Sequence, residues 1–333
     1  MLAEWKDKLN SGTDELFSTY LTKWVDDIKS TVSNSTYNTY RQTVNNIIVP
    51  YFREKKIKLC DLKPYHIQDF YKYKMDVDGV TANTIHHYQA NISRALKDAV
   101  RLEKIPKNPA ASVQLPKKEK HTANCYTLEE LQTLLKKTKG TDLETIILLA
   151  AWFGLRRGEI IGLKWECIDF NAKTLSVTGV MSDKGTSSSK TDNLHYAPSP
   201  KTQSSIRSFP LTEQMLKYFR DIKQAQDKNK TDTNYNHKWD EFVCVRSNGD
   251  IITLEYVTRT FPKVCVECGL RRLKLHELRH TNISLLLNDP NITMKELQEW
   301  AGHSTYNTTA NIYSHLQTGT KSKLSAAISN MGL

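Results

Sequence analysis

The chain has 333 residues, of which 39% are hydrophobic and 25% are charged, a composition typical of packed globular domains, and its length predicts about two of them. Lysine and arginine outnumber aspartate and glutamate by 47 to 36, a formal net charge of +11, which favours a polyanionic partner, nucleic acid before a membrane surface. The sequence holds no apolar run of the ~20 residues that span a bilayer and does not begin like a signal peptide. We therefore expect a soluble, cytoplasmic protein without a membrane partner.

The first part of the chain, about 110 residues, predicts a bundle of four helices, because apolar residues recur there at helical spacing. Thr13 is the expected cap of the first helix, Ser35 opens the second, Pro64 starts the third and Thr81 starts the fourth. Asn108-Pro109 then ends the bundle.

A stretch with little apolar content follows over residues 113–125. It carries Lys117, Lys118 and Lys120, which suit contact with phosphate groups, although a solvated tether would have the same composition. We expect a basic linker between two domains here, with these lysines as candidate nucleic-acid contacts.

The second half predicts a mainly helical domain with a small antiparallel sheet. Thr127 and Glu130 form a capping box ahead of a leucine-rich helix. Residues 142–153 are apolar nearly all round, as in a buried central helix. Two strands are expected over 174–180 and 205–211.

A polar stretch at 182–200 is expected to join those two strands. A hairpin is expected between residues 242–245 and 251–252, turned by Asn248-Gly249. From Leu254 onward the pattern is helical again. No glycine-rich phosphate-binding loop is present in the sequence.

The cysteines are scattered and do not form a disulfide framework. Cys265 and Cys268 form a lone C-x-x-C, and a zinc site would need two more ligands at suitable spacing. Two reduced thiols on a buried helix are therefore favoured over a structural metal. The remaining cysteines are Cys60, Cys125, Cys167 and Cys244.

Five motifs of the second half carry chemistry only in combination. Taken singly, each has a structural explanation: a His and an Arg three residues apart share a helix face and usually form salt bridges, and a tyrosine at helical spacing is usually part of a core. The motifs are Gly154-Leu155-Arg156-Arg157-Gly158-Glu159, Pro200-Lys201-Thr202, His276-Glu277-Leu278-Arg279, Gly302-His303 and Tyr313.

In this order and spacing the motifs resemble the signature of the tyrosine recombinases of the phage integrase type, Arg…Lys…His-x-x-Arg…His/Trp…Tyr. The likeness is greatest to integrases of phages or conjugative transposons of Gram-positive bacteria. The resemblance implies catalytic roles for Arg156, Lys201, His276, Arg279, His303 and Tyr313, and a supporting role for Glu159.

The resemblance extends along the whole chain and implies the DNA breaking-rejoining fold. It divides the chain into a helical core-type DNA-binding domain over 1–112, the basic linker over 113–125, a catalytic domain over 126–315 and a C-terminal tail over 316–333. Relatives often carry a further N-terminal arm-binding domain, which we expect to be absent here or removed.

The implied reaction is site-specific recombination. Tyr313 attacks a DNA phosphate as a covalent nucleophile, leaving a 3′-phosphotyrosine and a 5′ hydroxyl, and the strand is then joined to another through a Holliday junction. Because the bond energy stays in the phosphotyrosine link, neither a cofactor nor a metal is expected.

The residue types suit this chemistry. Arg156 and Arg279 offer forked, permanently charged donors to the non-bridging oxygens, and His303 adds a hydrogen bond. The tyrosine hydroxyl has a reference pKa of about 10, so His276 is the natural proton acceptor. Lys201 is the best placed acid for the departing 5′ oxygen.

Neighbouring residues leave alternatives open. Arg157 and His280 lie beside Arg156 and His276 in the sequence, and Tyr306 is a rival nucleophile. A type IB topoisomerase would use the same chemistry to relax supercoils, and a non-catalytic DNA-binding protein would share the charge and the helical bundle.

The expected partners are double-stranded DNA at specific sites, three further copies of the chain in a tetramer, and an accessory protein that controls direction. In the tail, Leu324, Ile328 and Met331 recur at i, i+4 and i+7 on a short helix that cannot be stable alone. We expect this helix to dock on a neighbouring subunit, with docking on its own catalytic domain as the alternative.

Overall fold

A computed structural model of the chain describes residues 14–119, 124–183, 193–198, 207–289 and 291–302. The chain divides into two compact units, Met1–His121 and Thr122–Leu333, and the division falls within the predicted linker. No helix of the described residues is both long and apolar enough to cross a bilayer.

The first unit is helical, as predicted. Apolar residues that recur at helical spacing face inward and bring aromatic rings together, with the Phe17 and Phe52 centroids 4.9 Å apart and those of Phe52 and Phe70 5.4 Å apart. Its helices are α1 (Phe17–Asp27), α2 (Asn34–Thr43), α3 (Val49–Lys55), α4 (Pro64–Asp76) and α5 (Ala82–Arg101), with a π-helical turn at Val44–Ile48 and a 3₁₀ turn at Pro109–Ser112.

The predicted helix starts are confirmed at two of the four positions. Pro64 is the first residue of α4, and the Thr81 side chain caps α5 by accepting from the Thr84 amide. The prediction for α2 was wrong by two residues, because Ser33 has the extended backbone of a cap and accepts from Thr36. Thr13 lies outside the described residues.

The second unit is mainly helical around a buried core. The capping box of Thr127 and Glu130 is confirmed, and the apolar run of 142–153 forms a helix whose Ile147, Leu149 and Phe153 are fully enclosed. The helices are α6 (Leu128–Lys137), α7 (Glu144–Phe153), α8 (Arg157–Ile161), α9 (Glu213–Asn229), α10 (Leu254–Glu267), α11 (Leu275–Leu287) and α12 (Met294–Ala301).

Two small antiparallel sheets accompany these helices. The first has the order β1-β2-β5, and Leu175 pairs with Phe209 in its centre. The second consists of β3 and β4, with Met181 opposite Tyr196. The strands are β1 (Ile168–Asp169), β2 (Thr174–Val177), β3 (Val180–Asp183), β4 (Leu194–Ala197) and β5 (Arg207–Pro210).

The predicted strand over 174–180 is therefore two strands, and part of the polar stretch 182–200 is a strand too. The chain leaves the first sheet after Val177, and Gly179 lies close to the hydroxyl end of the Tyr196 side chain, with which a Cβ at this position would collide. Glycine therefore lets the backbone pass close to Tyr196 between β2 and β3.

The predicted hairpin at 242–252 is present in a short form, in which Ile252 donates to the Cys244 carbonyl at 3.2 Å and Arg246 donates to the Asp250 carbonyl at 2.9 Å. Gly249 donates to the Arg246 carbonyl at 3.0 Å, and a single bridge joins Val245 to Ile251. At the start of the first arm, the backbone N–H of Val243 donates instead to the Leu163 carbonyl at 2.9 Å. The helix expected from Leu254 is confirmed as α10, while α9 was not predicted.

Candidate active site

The turn between α7 and α8 sets the position of the first candidate arginine. Gly154 ends α7 with φ +60, a left-handed conformation that favours glycine. A Cβ there would lie 2.9 Å from Oδ1 of Asn282 on α11, so glycine also lets this turn approach that helix closely. Two residues later, Arg156 precedes α8 in an extended conformation.

Arg156 and Glu159 hold each other at the start of α8. The backbone N–H of Arg156 donates to Glu159 Oε2 at 2.8 Å, and its Nη1 donates to Oε1 at 2.8 Å. The Glu159 side chain is 2% exposed, whereas that of Arg156 is 38% exposed. The carboxylate is thus inside the protein, and part of the guanidinium faces solvent.

A second arginine, Arg207, reaches the same carboxylate, although it was not among the predicted site residues. Its Nη2 donates to Glu159 Oε2 at 2.7 Å, and its Nη1 donates to the Ala301 carbonyl at 2.6 Å. Arg207 and Phe209 are the inward residues of β5, so the alternation of the strand places a charged side chain in the interior.

The ionisation of Glu159 follows from these contacts. Burial raises its pKa, but the charge of Arg207 and the hydrogen bonds and charge of Arg156 lower it by more, so the pKa lies below its usual value. Glu159 is therefore a carboxylate at neutral pH.

Arg279 on α11 is the third arginine of the cluster and is 1% exposed. Its Nη1 donates to the Gly154 carbonyl at 2.6 Å, and its Nη2 donates to the Ala301 carbonyl. Arg279 thereby joins the turn after α7 to the end of α12, two segments that are far apart in the sequence.

The end of α12 receives all three arginines. Arg207 and Arg279 share the carbonyl of Ala301, and Arg156 Nη2 donates to that of Gly302 at 2.9 Å. These carbonyls form the partly negative end of a helix, which cations stabilise. The arginines thus brace the last described residues of the chain, and the candidate His303 follows them in the sequence.

His276 lies one helical turn before Arg279 on α11, with part of its side chain open to solvent and part surrounded by protein, and its ring is 4.8 Å from that of His280. Desolvation by the surrounding protein, the charge of Arg279 and then the charge of Arg156 lower its pKa below the usual value. An imidazole of this kind is neutral at pH 7 and can accept a proton.

The structure thus brings together four of the predicted site residues: Arg156, Glu159, His276 and Arg279. Lys201, His303 and Tyr313 lie outside the described residues, as do Tyr306, Lys120 and the tail. The linker residues Lys117 and Lys118 are described and exposed.

The neighbouring rival Arg157 has different partners. It donates to the Leu254 carbonyl at 3.4 Å and to Oγ1 of Thr258, both on α10, while Glu159 binds Arg156. These contacts favour Arg156, and not Arg157, as the first arginine of the recombinase signature.

Cys265 and Cys268 are free thiols in the second unit, and both are buried. Burial raises the pKa of each. Within the described ranges no group of three or more His, Cys, Asp or Glu side chains could hold a metal ion.

The fold resembles those of solved integrases. The Tn1549 transposon integrase in complex with circular intermediate DNA is similar with a TM-score of 0.72 and 18% identity, over 92% of this chain and 99% of that one. A lambda integrase tetramer bound to a Holliday junction is similar with a TM-score of 0.61 and 18% identity, over 86% of this chain and 77% of that one. The chain therefore has the fold of these integrases, the DNA breaking-rejoining fold.

Comparisons of sequence give the family. Residues 125–319, more than half of the chain, match the phage integrase family, and residues 16–75 match the phage integrase N-terminal SAM-like domain. The chain belongs to the phage integrase family. Its members are tyrosine recombinases, enzymes that cleave and rejoin DNA.

Individual relatives agree with the resemblance noted in the motifs. A "Tyrosine recombinase XerC-like" protein of Caldanaerobacter subterraneus subsp. tengcongensis is 28% identical over 78% of this chain and 69% of its own length. The ICEBs1 integrase of Bacillus subtilis is 26% identical over 84% of this chain and 73% of its own length. These matches confirm the predicted likeness to integrases of mobile elements.

Proposed function

We propose that the protein is a site-specific recombinase that integrates and excises a mobile genetic element through a 3′-phosphotyrosine intermediate. The observation that carries this proposal is the meeting of Arg156, Arg207 and Arg279 around Glu159 and the end of α12. Its substrate is double-stranded DNA, which we place in the bacterial cytoplasm.

The charge of this cluster suits a phosphodiester. Three arginines and one glutamate carry a formal charge of 3 − 1 = +2, and all but Arg156 are buried, where charges interact more strongly than in water. The transition state of phosphate transfer concentrates negative charge on the non-bridging oxygens, and each preorganised donor typically stabilises it by about 3 kcal/mol.

We assign the two clamping roles to Arg156 and Arg279. Arg156 has an open face, with 38% of its side chain exposed, and can meet a phosphate oxygen directly. Arg279 is enclosed by the carbonyls of Gly154 and Ala301, so it acts as a second clamp when a phosphate oxygen replaces one of these acceptors. Arg207 is held inside and orients Glu159.

The proton transfers and the covalent step complete the proposal. Tyr313 is the nucleophile, and neutral His276 accepts its proton. Lys201 protonates the departing 5′ oxygen, and His303 adds a hydrogen bond to the phosphate. The position of His303 directly after the braced end of α12 supports its role.

Strand exchange needs two sites and therefore several subunits. We propose a homotetramer on paired sites, in which the 316–333 tail of each subunit docks on the next and closes a ring, and an accessory protein that sets the direction. Lys117, Lys118 and Lys120 would contact the DNA backbone from the linker.

The decisive experiment traps the covalent intermediate. The wild-type chain is produced in bacterial cells, the cells are lysed in denaturant, and the DNA that remains attached to the protein is sequenced. We expect one recurring site from the wild-type chain and none from Tyr313→Phe.

The alternatives predict other results. DNA attached at unrelated sequences, with relaxation of any supercoiled plasmid, would indicate a topoisomerase. Absence of attached DNA, together with DNA binding, would indicate a passive binding protein. Resolution of a synthetic Holliday junction built from the recovered site would support the recombinase.

A further inference from the structure

A surface cleft of about 370 Å³ adjoins the arginine cluster on the second unit. Its lining includes Arg156 and His276 of the site, together with Arg157, Thr258 and Lys274. The cleft therefore continues outward from the place where we put the scissile phosphate, between the starts of α8 and α11 and one side of α10.

The charge of this cleft has one sign. Arg156, Arg157 and Lys274 give it a formal charge of +3, and none of the described residues that line it is acidic. Clefts lined by one sign of charge focus the field and concentrate counter-ions. Asp183 lies near enough to interact with the charge of Arg157, but it is not among the residues that line the cleft.

Arg157 is oriented for an incoming group. Its Nη1 is anchored by the Leu254 carbonyl at 3.4 Å and by Thr258 on α10, while the side chain stays exposed. A guanidinium has five N–H donors in a rigid fork, so one edge can be fixed to the protein while another faces an oxygen ligand.

Lys274 adds a second charge at the start of α11. It precedes the helix in an extended conformation, and its backbone N–H donates to Glu277 Oε2 at 2.7 Å. The Glu277 carboxylate is thus engaged at the backbone, and the exposed Lys274 side chain lines the cleft, where its flexible stem lets the ammonium reach a ligand.

We infer that this cleft is a second phosphate subsite, in which Arg157 and Lys274 bind the phosphate next to the scissile one on the cleaved strand. The inference rests on the proposed function only for the identity of the first phosphate. Because phosphates follow each other at ~3.4 Å of helix axis per nucleotide on one strand, a cleft that shares Arg156 with the site lies within reach of the neighbouring one. Two fixed phosphates set the register of the strand against Tyr313.

The test compares two double variants with the same loss of charge. Arg157→Gln/Lys274→Gln removes the subsite, whereas Lys217→Gln/Lys228→Gln removes two exposed lysines of α9 that do not line the cleft. Both are made in full-length Tyr313→Phe so that the DNA stays intact. The probe is a duplex selected from random sequence for binding to Tyr313→Phe, and unchanged melting temperatures verify that the exposed substitutions leave the fold intact.

The first measurement is the dependence of Kd on salt. Loss of one phosphate contact reduces the slope of log K against log salt by about 0.9, and we expect this change in the subsite variant and not in the α9 control. Equal slopes in all proteins would overturn the subsite.

The second measurement identifies which phosphate of the duplex interacts with Arg157 and Lys274. Each phosphate of the duplex is replaced in turn by a neutral methylphosphonate. At one position we expect a loss of about tenfold in affinity, the size of a charge-assisted contact, for the parent and the α9 control but no loss for the subsite variant. If the subsite variant stays as sensitive as the parent at every position, the inference is wrong.

The cleavage position then identifies the phosphate. Mapping of the covalent adduct formed by wild type on the same duplex should put the scissile phosphate next to the coupled one. If the coupled phosphate is the scissile one, the cleft belongs to the site already described and the inference fails. If wild type forms no adduct while the coupling is found, the proposed function fails and the phosphate contact remains.

Discussion

Removal of Arg207 tests the arrangement of the buried cluster, because this residue lies away from the sequence signature. Arg207 and Glu159 are 5% and 2% exposed at their side chains and 2.7 Å apart. Removing one partner of a buried ion pair typically costs 3–5 kcal/mol, since the other charge is left in the interior. Arg156 still holds Glu159 in the Arg207→Met variant, so we expect the low end, about 3 kcal/mol.

A stability assay with a matched control measures this cost. For a unit of this size 1 kcal/mol corresponds to about 2–4 °C in Tm, so Arg207→Met should lower the Tm of the second unit by about 6–12 °C. The control, Arg259→Met, breaks an exposed pair with Glu255 on α10, which is worth less than about 0.5 kcal/mol.

A double variant separates the ion pair from simple packing. Arg207→Met/Glu159→Gln removes both charges, so the loss should be smaller than the sum of the two single losses, by about 2 kcal/mol or more. A cost for Arg207→Met no greater than that of Arg259→Met would refute this reasoning, as would strict additivity in the double variant.

Three further predictions concern ionisation and proton transfer. Because the pKa of Glu159 is lowered in the folded state, its ionised form stabilises the fold above its unfolded pKa of about 4.3. In urea unfolding, the free energy by which wild type exceeds Glu159→Gln should therefore stay constant from about pH 7 to 5 and decrease below about pH 4.3. An increase of this difference in acid would contradict the prediction. The pKa of His276 is lowered by desolvation, Arg279 and Arg156, so its NMR titration should have a midpoint below about 6.5 that rises in Arg156→Gln; a wild-type midpoint above that value would be the opposite result. Lys201→Ala should lose most cleavage of ordinary DNA but recover it on a substrate with sulfur at the 5′ bridging position, since a thiolate leaves without a proton; no recovery would remove Lys201 from the role of acid.

Local signals in the sequence predicted the helix starts at Pro64, Thr81 and Thr127. The caps at Thr81 and Thr127 depend on residues within one helical turn, which is why they could be predicted from the chain alone. Helix α9 also has local signals, a cap at Thr212 and a stripe through Leu216 and Phe219, but the many charged residues of that segment mask the stripe.

The strands were harder to predict because their pairing is not local. β3 and β4 pair across a segment rich in serine and lysine, whose composition indicates a loop. The close approach of Gly179 to Tyr196 likewise brings together residues that are distant in the sequence.

The contacts of the candidate site also differ in how far apart their residues lie in the sequence. Arg156 and Glu159 are three residues apart, so their contact could be expected from the sequence. Arg207 meets Glu159 from a strand 48 residues away, and its other partner, Ala301, is 94 residues away. A buried arginine with such distant partners has one signal in the sequence, its alternation with Phe209 on a strand that faces the core.

Mass spectrometry of the trapped adduct identifies the residue that forms the covalent bond to DNA, which we propose is Tyr313. Wild-type protein is trapped on its recovered site, digested with protease and nuclease, and the peptide that carries the residual nucleotide is sequenced. We predict that the modified residue is Tyr313, linked to a 3′ phosphate, with a free 5′ hydroxyl on the other side of the break. A nucleotide on Tyr306 or on any other residue, or a 5′ phosphate linkage, would contradict the account.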